Sequence, residues 1–205
     1  MVCLLGATIL LAGETKGKVK KHVYYSPEKN FTVPVPSGIN MRVEDRYDAG
    51  GAGAVSFHDD FGTQQGVYYM RIPVEVAAKF DEAAHPGELL SRWLNHMAMP
   101  GFFPNSRLAH ETAAPFESME VVLAEVEIPS GSTMVVTDRS GTRRLDSTRG
   151  LVIFRRGTYV YMLDVEETSA LSETNKTEKK DEPAEDWTKF ADRIKPFYES
   201  ISFTD

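Results

Sequence analysis

Short stretches in which apolar and polar side chains alternate dominate this chain, and most of them end at glycine or proline. Met119 to Ile128 reads MEVVLAEVEI, and Thr158 to Val165 reads TYVYMLDV with Tyr159, Tyr161 and Leu163 on one side. A period of two is that of a strand with one buried face. Asn30 to Pro36 alternates large and small side chains in the same way. Pro34 has no N–H to give to a ladder, so this strand is expected at a sheet edge or is expected to end early. His22 to Ser26 and Met41 to Tyr47 are further strands. Ala54 to His58 and Gly66 to Ile72 predict a hairpin across the polar connection Asp59 to Gln65, in which Gly62 supplies a positive φ. Beyond Ser106 the chain returns to strands, and Thr133 to Thr137 and Gly150 to Phe154 flank an arginine-rich connection.

Two segments carry the helical period instead. Leu89, Leu90, Trp93, Leu94 and Met97 recur at i, i+3 and i+4, which builds one apolar face; Pro86-Gly87 opens this helix and Pro100-Gly101 is expected to stop it. Trp187, Phe190, Ile194, Phe197 and Tyr198 predict a closing helix that Pro196 shortens or bends. Between the last strand and that helix, about 168–183, lies a polar run too poor in apolar surface to order itself, read as a flexible insertion. Strands in consecutive hairpins with a few segregated helices give an α+β class, an antiparallel sheet flanked by helices, in one domain over residues 14–205.

Val2 to Gly13 is an apolar run, too short to span a bilayer comfortably, since a helix needs about 20 apolar residues to do so. Its length fits the apolar part of a secretory leader, with Ala12 and Gly13 as the small residues of a cleavage site, although no basic segment precedes it. Residues 1–13 therefore predict export to the periplasm or outside the cell. The alternative is an uncleaved anchor, in which case membrane contact comes through residues 2–13 alone.

The composition of the 205 residues, 41% hydrophobic and 26% charged, is that of an ordinary globular protein able to fold without covalent staples. A net charge of −7 disfavours nucleic acid and anionic lipid as partners. Cys3 is the sole cysteine and lies in the leader, which removes disulfide frameworks, cysteine-based zinc sites and thiol catalysis together. Gly50 to Gly53 lacks the Lys-Ser/Thr and helix of a phosphate loop, and no serine sits in a G-x-S-x-G elbow, so no cofactor is expected.

Two local features carry candidate chemistry. Arg139, Arg143, Arg144, Arg149, Arg155 and Arg156 concentrate positive charge in an acidic chain; brought together on neighbouring strands they suit carboxylate, phosphate or an acidic protein surface. The plainer alternative pairs them with Asp138, Asp146 and nearby glutamates in a solvated hairpin. His58-Asp59-Asp60 sets an imidazole beside two carboxylates, donors for a divalent metal or for proton transfer. Adjacent residues at a strand end point in alternate directions, however, and a solvated turn is the competing reading.

The opening Tyr25-Ser26-Pro27-Glu28-Lys29-Asn30-Phe31-Thr32-Val33-Pro34-Val35-Pro36, the strand Gly157 to Leu163, and the closing Phe190, Ile194, Phe197 and Ser200 to Phe203 resemble the PsbP-like group. That group is named for an extrinsic subunit of photosystem II, and its fold is similar to that of the Ran-binding Mog-type proteins. Where the group often has a tryptophan after the opening proline, this chain has Gly38-Ile39-Asn40. The resemblance implies an α-β-α sandwich around an antiparallel sheet and a partner-binding role without an active site. It does not imply photosynthesis. The expectation is an exported, non-catalytic binding or assembly protein of the cell envelope, its partner a protein or a small anionic ligand. The alternative is a metal-dependent or other hydrolytic enzyme using His58, Asp59 and Asp60.

Overall fold

A computed structural model describes residues 16–48, 50–138, 141–168 and 187–204. The predicted leader, the polar insertion apart from Thr168, and Arg139 fall outside these described residues. In chain order the strands are β1 (Lys18–Lys20), β2 (Val23–Tyr25), β3 (Phe31–Pro34), β4 (Arg42–Tyr47), β5 (Ala52–His58) and β6 (Gln64–Arg71). Helices α1 (Val74–Glu82) and α2 (Pro86–Trp93), a π-helical turn (Leu94–Ala98) and α3 (Met99–Phe102) follow. The chain continues through β7 (Arg107–Phe116), β8 (Met119–Ile128), β9 (Val135–Asp138), β10 (Gly141–Arg144), β11 (Ser147–Arg156) and β12 (Tyr159–Thr168). It closes with a 3₁₀ turn (Trp187–Lys189), α4 (Phe190–Ser200) and β13 (Ser202–Phe203).

The protein is mainly antiparallel β with few helices. Its principal sheet has seven strands in the order β4-β5-β6-β12-β11-β8-β7; a four-stranded sheet runs β1-β2-β3-β13, and β9 and β10 pair as a hairpin. Alternation along the strands divides the apolar residues between the two faces of the principal sheet. On one face Val55, Phe57, Val67, Tyr69, Val152, Phe154, Tyr161 and Leu163 pack with Tyr24, Phe31 and Val33 of the small sheet and with Phe190, Ile194 and Phe197 of α4. On the other, Tyr68, Val122, Ala124, Val126, Leu151, Ile153, Val160 and Met162 pack with Ala77, Phe80, Leu90, Trp93, Leu94, Ala98 and Phe103 from the helical segment. Each fully buried side chain of this size contributes roughly 1.5–3 kcal/mol of transfer free energy. Gly150 sets how closely α4 approaches: a Cβ there would overlap the Phe190 ring.

Several expectations need correction. Of the two outcomes expected from Pro34 the early end is the one found: β3 stops at Pro34, and it is not an edge, being paired on both sides by β2 and β13. The helix does not stop at Pro100-Gly101. A π turn widens the backbone just before, with Met99 N–H bonded to the Leu94 carbonyl, and Pro100 then falls in the first turn of α3, where no donor is missed. α1 escaped the sequence reading because Val74 and Val76 look strand-like; Ala77 and Phe80, three apart, are its buried stripe. Pro196 lies inside α4 without shortening it.

The candidate polar groove and its arginine floor

The face carrying the helices is not apolar along its whole extent. The register aligns Arg46, Ala54, Tyr68 and Met162 in one row, Glu44, Ser56, Gly66, Asp164 and Leu151 in the next, and Arg42, His58 and Gln64 in the one beyond, level with Glu166 and Arg149. Side chains of one row lie on one face of a sheet. The helices thus cover the hydrophobic part, and the polar part opens into a groove of about 810 Å³. Strands β4 to β6 form its floor, Gly101 and Phe102 at the end of α3 one wall, and Gly131, Thr133 and Arg144 at the base of the β9–β10 hairpin another.

Arg149 anchors the inner end of the floor. It is 5% exposed and donates from Nη1 to Asp164 Oδ2 at 2.5 Å, and from Nη2 to Gln64 Oε1 at 2.9 Å and to the Gly131 carbonyl at 3.2 Å. Glu166 Oε2 lies 3.4 Å from Nη2. Burial alone would push the guanidinium pKa down, but the Asp164 charge, followed by Tyr68 and Glu166, holds it above its ordinary value. Burial pushes the fully enclosed Asp164 carboxyl up, against the opposing pull of Arg149. Burial accounts for the direction at Asp164, and the neighbouring acidic groups, Asp164 foremost, for that at Arg149. Burial, then Asp164, also push the Tyr68 phenol up, so it stays neutral. Asp164 is accommodated because its cross-strand neighbour is Gly66, where a Cβ would overlap Oδ1.

The other acids at the groove are held locally. Asp45 accepts the Gly17 N–H at 2.6 Å, and Asp48 accepts those of Gly50 at 2.8 Å and Ala52 at 3.0 Å. Asp59 Oδ1 accepts the Phe61 and Thr63 amides at 2.8 and 3.0 Å, shaping the β5–β6 turn. Asp60 pairs with Arg42 at 2.5 Å, and His58 Nε2 lies 3.5 Å from Glu44. His58, Asp59 and Asp60 therefore take three separate partners. Among the described residues no group of three or more His, Cys, Asp or Glu side chains is arranged to hold a metal ion.

The arginines singled out from the sequence that lie among the described residues do not form one surface. Arg143 and Arg144 lie on β10 and Arg149 is enclosed, whereas Arg155 and Arg156 sit at the far end of β11. Seven residues of strand at ~3.3 Å each put Arg156 about 23 Å from Arg149. There Arg155 pairs with Asp81, and Arg156 lies 5.2 Å from the centre of the Phe203 ring. The segments holding these pairs are not neighbours because β11 pairs with β8 and β12 while β10 turns back on β9. Sequence reading passed over Arg46, whose signal was its phase on the alternating strand Met41 to Tyr47. No helix among the described residues is long and apolar enough to cross a membrane.

No family model and no curated protein matches this sequence. Among solved structures, the solution structure of cyanobacterial PsbP from Synechocystis sp. PCC 6803 is similar with a TM-score of 0.45 and 12% identity, over 98% of this chain and 99% of that one. A crystal structure from Bacteroides thetaiotaomicron VPI-5482 is similar with a TM-score of 0.42 and 9% identity, over 90% of this chain. The chain spans about half the length of that second protein, 48%.

Proposed function

We propose that this is an exported, non-catalytic binding or assembly protein of the cell envelope, and that it engages its partner through the polar groove over β4 to β6. The observation that carries the reading is the division of one sheet face. Its apolar rows are covered by α1 to α3, while the rows from Arg42 to Arg149 keep polar side chains above a rigid, hydrogen-bonded floor. Concave sites with a few fixed polar groups are where small ligands and partner side chains bind. In the same reading the helices form outer layers, α1 to α3 on one side and α4 on the other. That is the α-β-α order implied by the PsbP-like resemblance. Export is supported by the apolar run Val2 to Gly13.

Two measurements test this. Fractionation of cells producing the full chain, beside a form lacking residues 2–13, should place the first in the envelope and retain the second in the cytoplasm. Hydrogen exchange of the purified protein with envelope extract should slow the amides of β4, β5 and β6. Slowing confined to the Arg155–Arg156 end, or none at all, would refute the groove as the binding surface.

A further inference from the structure

Five acids and five cations line the groove, but they are unequally engaged. Each acid that lines it already has a partner: Glu44 with His58, Asp60 with Arg42, and Asp45, Asp48 and Asp59 with backbone amides. Of its cations, Arg42 and Arg149 are engaged by Asp60 and by Asp164. Lys16, Arg46 and Arg144 also line it, and their side chains make no hydrogen bond or ion pair among the described residues. Arg46 stands on the floor over small Ala54, and Arg144 on the hairpin wall, with Thr133 nearby in the lining. Thr133 Oγ1 is enclosed behind this lining without a hydrogen-bond partner among the described residues, and the two guanidiniums border the open space. An unpaired arginine suits an oxyanion because its planar fork matches two oxygens at once. The overall charge of −7 works the other way at long range, repelling polyanions and large acidic surfaces. A volume of about 810 Å³ lies within the range of small-molecule sites.

We infer that the groove receives a small molecule through an oxyanion, carboxylate or phosphate, held by Arg46 and Arg144. The inference rests on the groove being the binding surface and names the chemistry of what enters it. Inorganic phosphate and citrate are the probes, titrated calorimetrically into the purified protein and into Arg46→Gln, Arg144→Gln and Arg143→Gln. Residues alternate across a strand, so Arg143 faces away from Arg144 and serves as the control. Hydrogen bonds to a charged group are worth about 1.5–3 kcal/mol, so each groove variant should weaken binding roughly 10- to 100-fold. Arg143→Gln should leave binding unchanged, and added salt should weaken it. Stronger binding of phosphate or of citrate tells which oxyanion the groove prefers. Because neither groove guanidinium makes a hydrogen bond or ion pair among the described residues, thermal unfolding of the variants should match the wild type.

Failure of both probes to bind at about 10 mM would overturn the inference, as would binding indifferent to both groove substitutions. Groove protection in the hydrogen-exchange experiment, without any role for Arg46 and Arg144, would remove the oxyanion while leaving the binding surface intact. Protection elsewhere would remove the binding surface itself.

Discussion

Replacing Arg149 with Met keeps most of the side-chain volume and removes the cation from beneath the groove. Arg149 is 5% exposed and Asp164 is 0% exposed, so water cannot take over the lost bonds without opening the sheet. The substitution deletes the 2.5 Å bond to Asp164 and the bonds to Gln64 and the Gly131 carbonyl. Breaking a buried pair by removing one partner costs about 3–5 kcal/mol, chiefly because the remaining charge is stranded. The loss has a pH signature. Asp164 already has its pKa raised by burial, opposed by Arg149, and without Arg149 it rises further. A carboxyl whose folded pKa exceeds its unfolded value, near 3.9, binds its proton more tightly in the folded state. Its destabilising effect is therefore complete above the folded pKa and fades as pH falls toward the unfolded one. Urea unfolding followed by circular dichroism at about pH 5 and pH 8 should show a larger deficit at the higher pH, with an unchanged m-value. Adding Asp164→Asn should recover part of the stability, a coupling expected for side chains in direct contact. A deficit below about 1 kcal/mol at pH 8, an equal deficit at both pH values, or strict additivity in the double variant would refute the reasoning.

Gly66→Ala should cost roughly 1–3 kcal/mol by thermal unfolding, because its Cβ falls on Asp164 Oδ1, in a carboxylate that Arg149 holds through Oδ2. Gly150→Ala should destabilise by a similar amount at the seam with α4, and a smaller side chain at Phe190 should relieve part of that strain. The Tyr47 phenol, pushed up to about 12 first by its hydrogen bond to Glu28 and then by burial, should titrate late in a phenolate absorbance scan. Glu28→Gln should return it toward the ordinary value of about 10. The stability linked to this raised phenol is present in full below about pH 10 and is lost as pH rises through about 12. Asp59→Ala should loosen the β5–β6 turn by about 1–3 kcal/mol through its two amide bonds, seen as faster exchange at Phe61 and Thr63.

What the sequence determined by itself is local. Met119 to Ile128 is one strand from end to end, and the hairpin from Ala54 to Ile72 and the closing helix at Phe190 also appear close to where their periodicities put them. Alternation and helical spacing are properties of neighbouring residues, so they can be read without a partner. The misreadings came where a distant contact or a shift of backbone geometry intervened. The π turn lets Pro100 enter a helix, and β13, from the other end of the chain, covers the strand for which Pro34 had left an edge position open beside the early end that is found. Only the tertiary structure decided the roles of the arginines. Arg149 lies 85 residues from Gln64 and 15 from Asp164, and its burial against both engages its guanidinium within the chain. Arg46 lies in a strand read for its backbone alone, yet its side chain lines the groove with no hydrogen bond or ion pair among the described residues. A charged side chain is defined by what surrounds it, and the order of strands in the sheet, set by packing across the whole chain, chooses those surroundings.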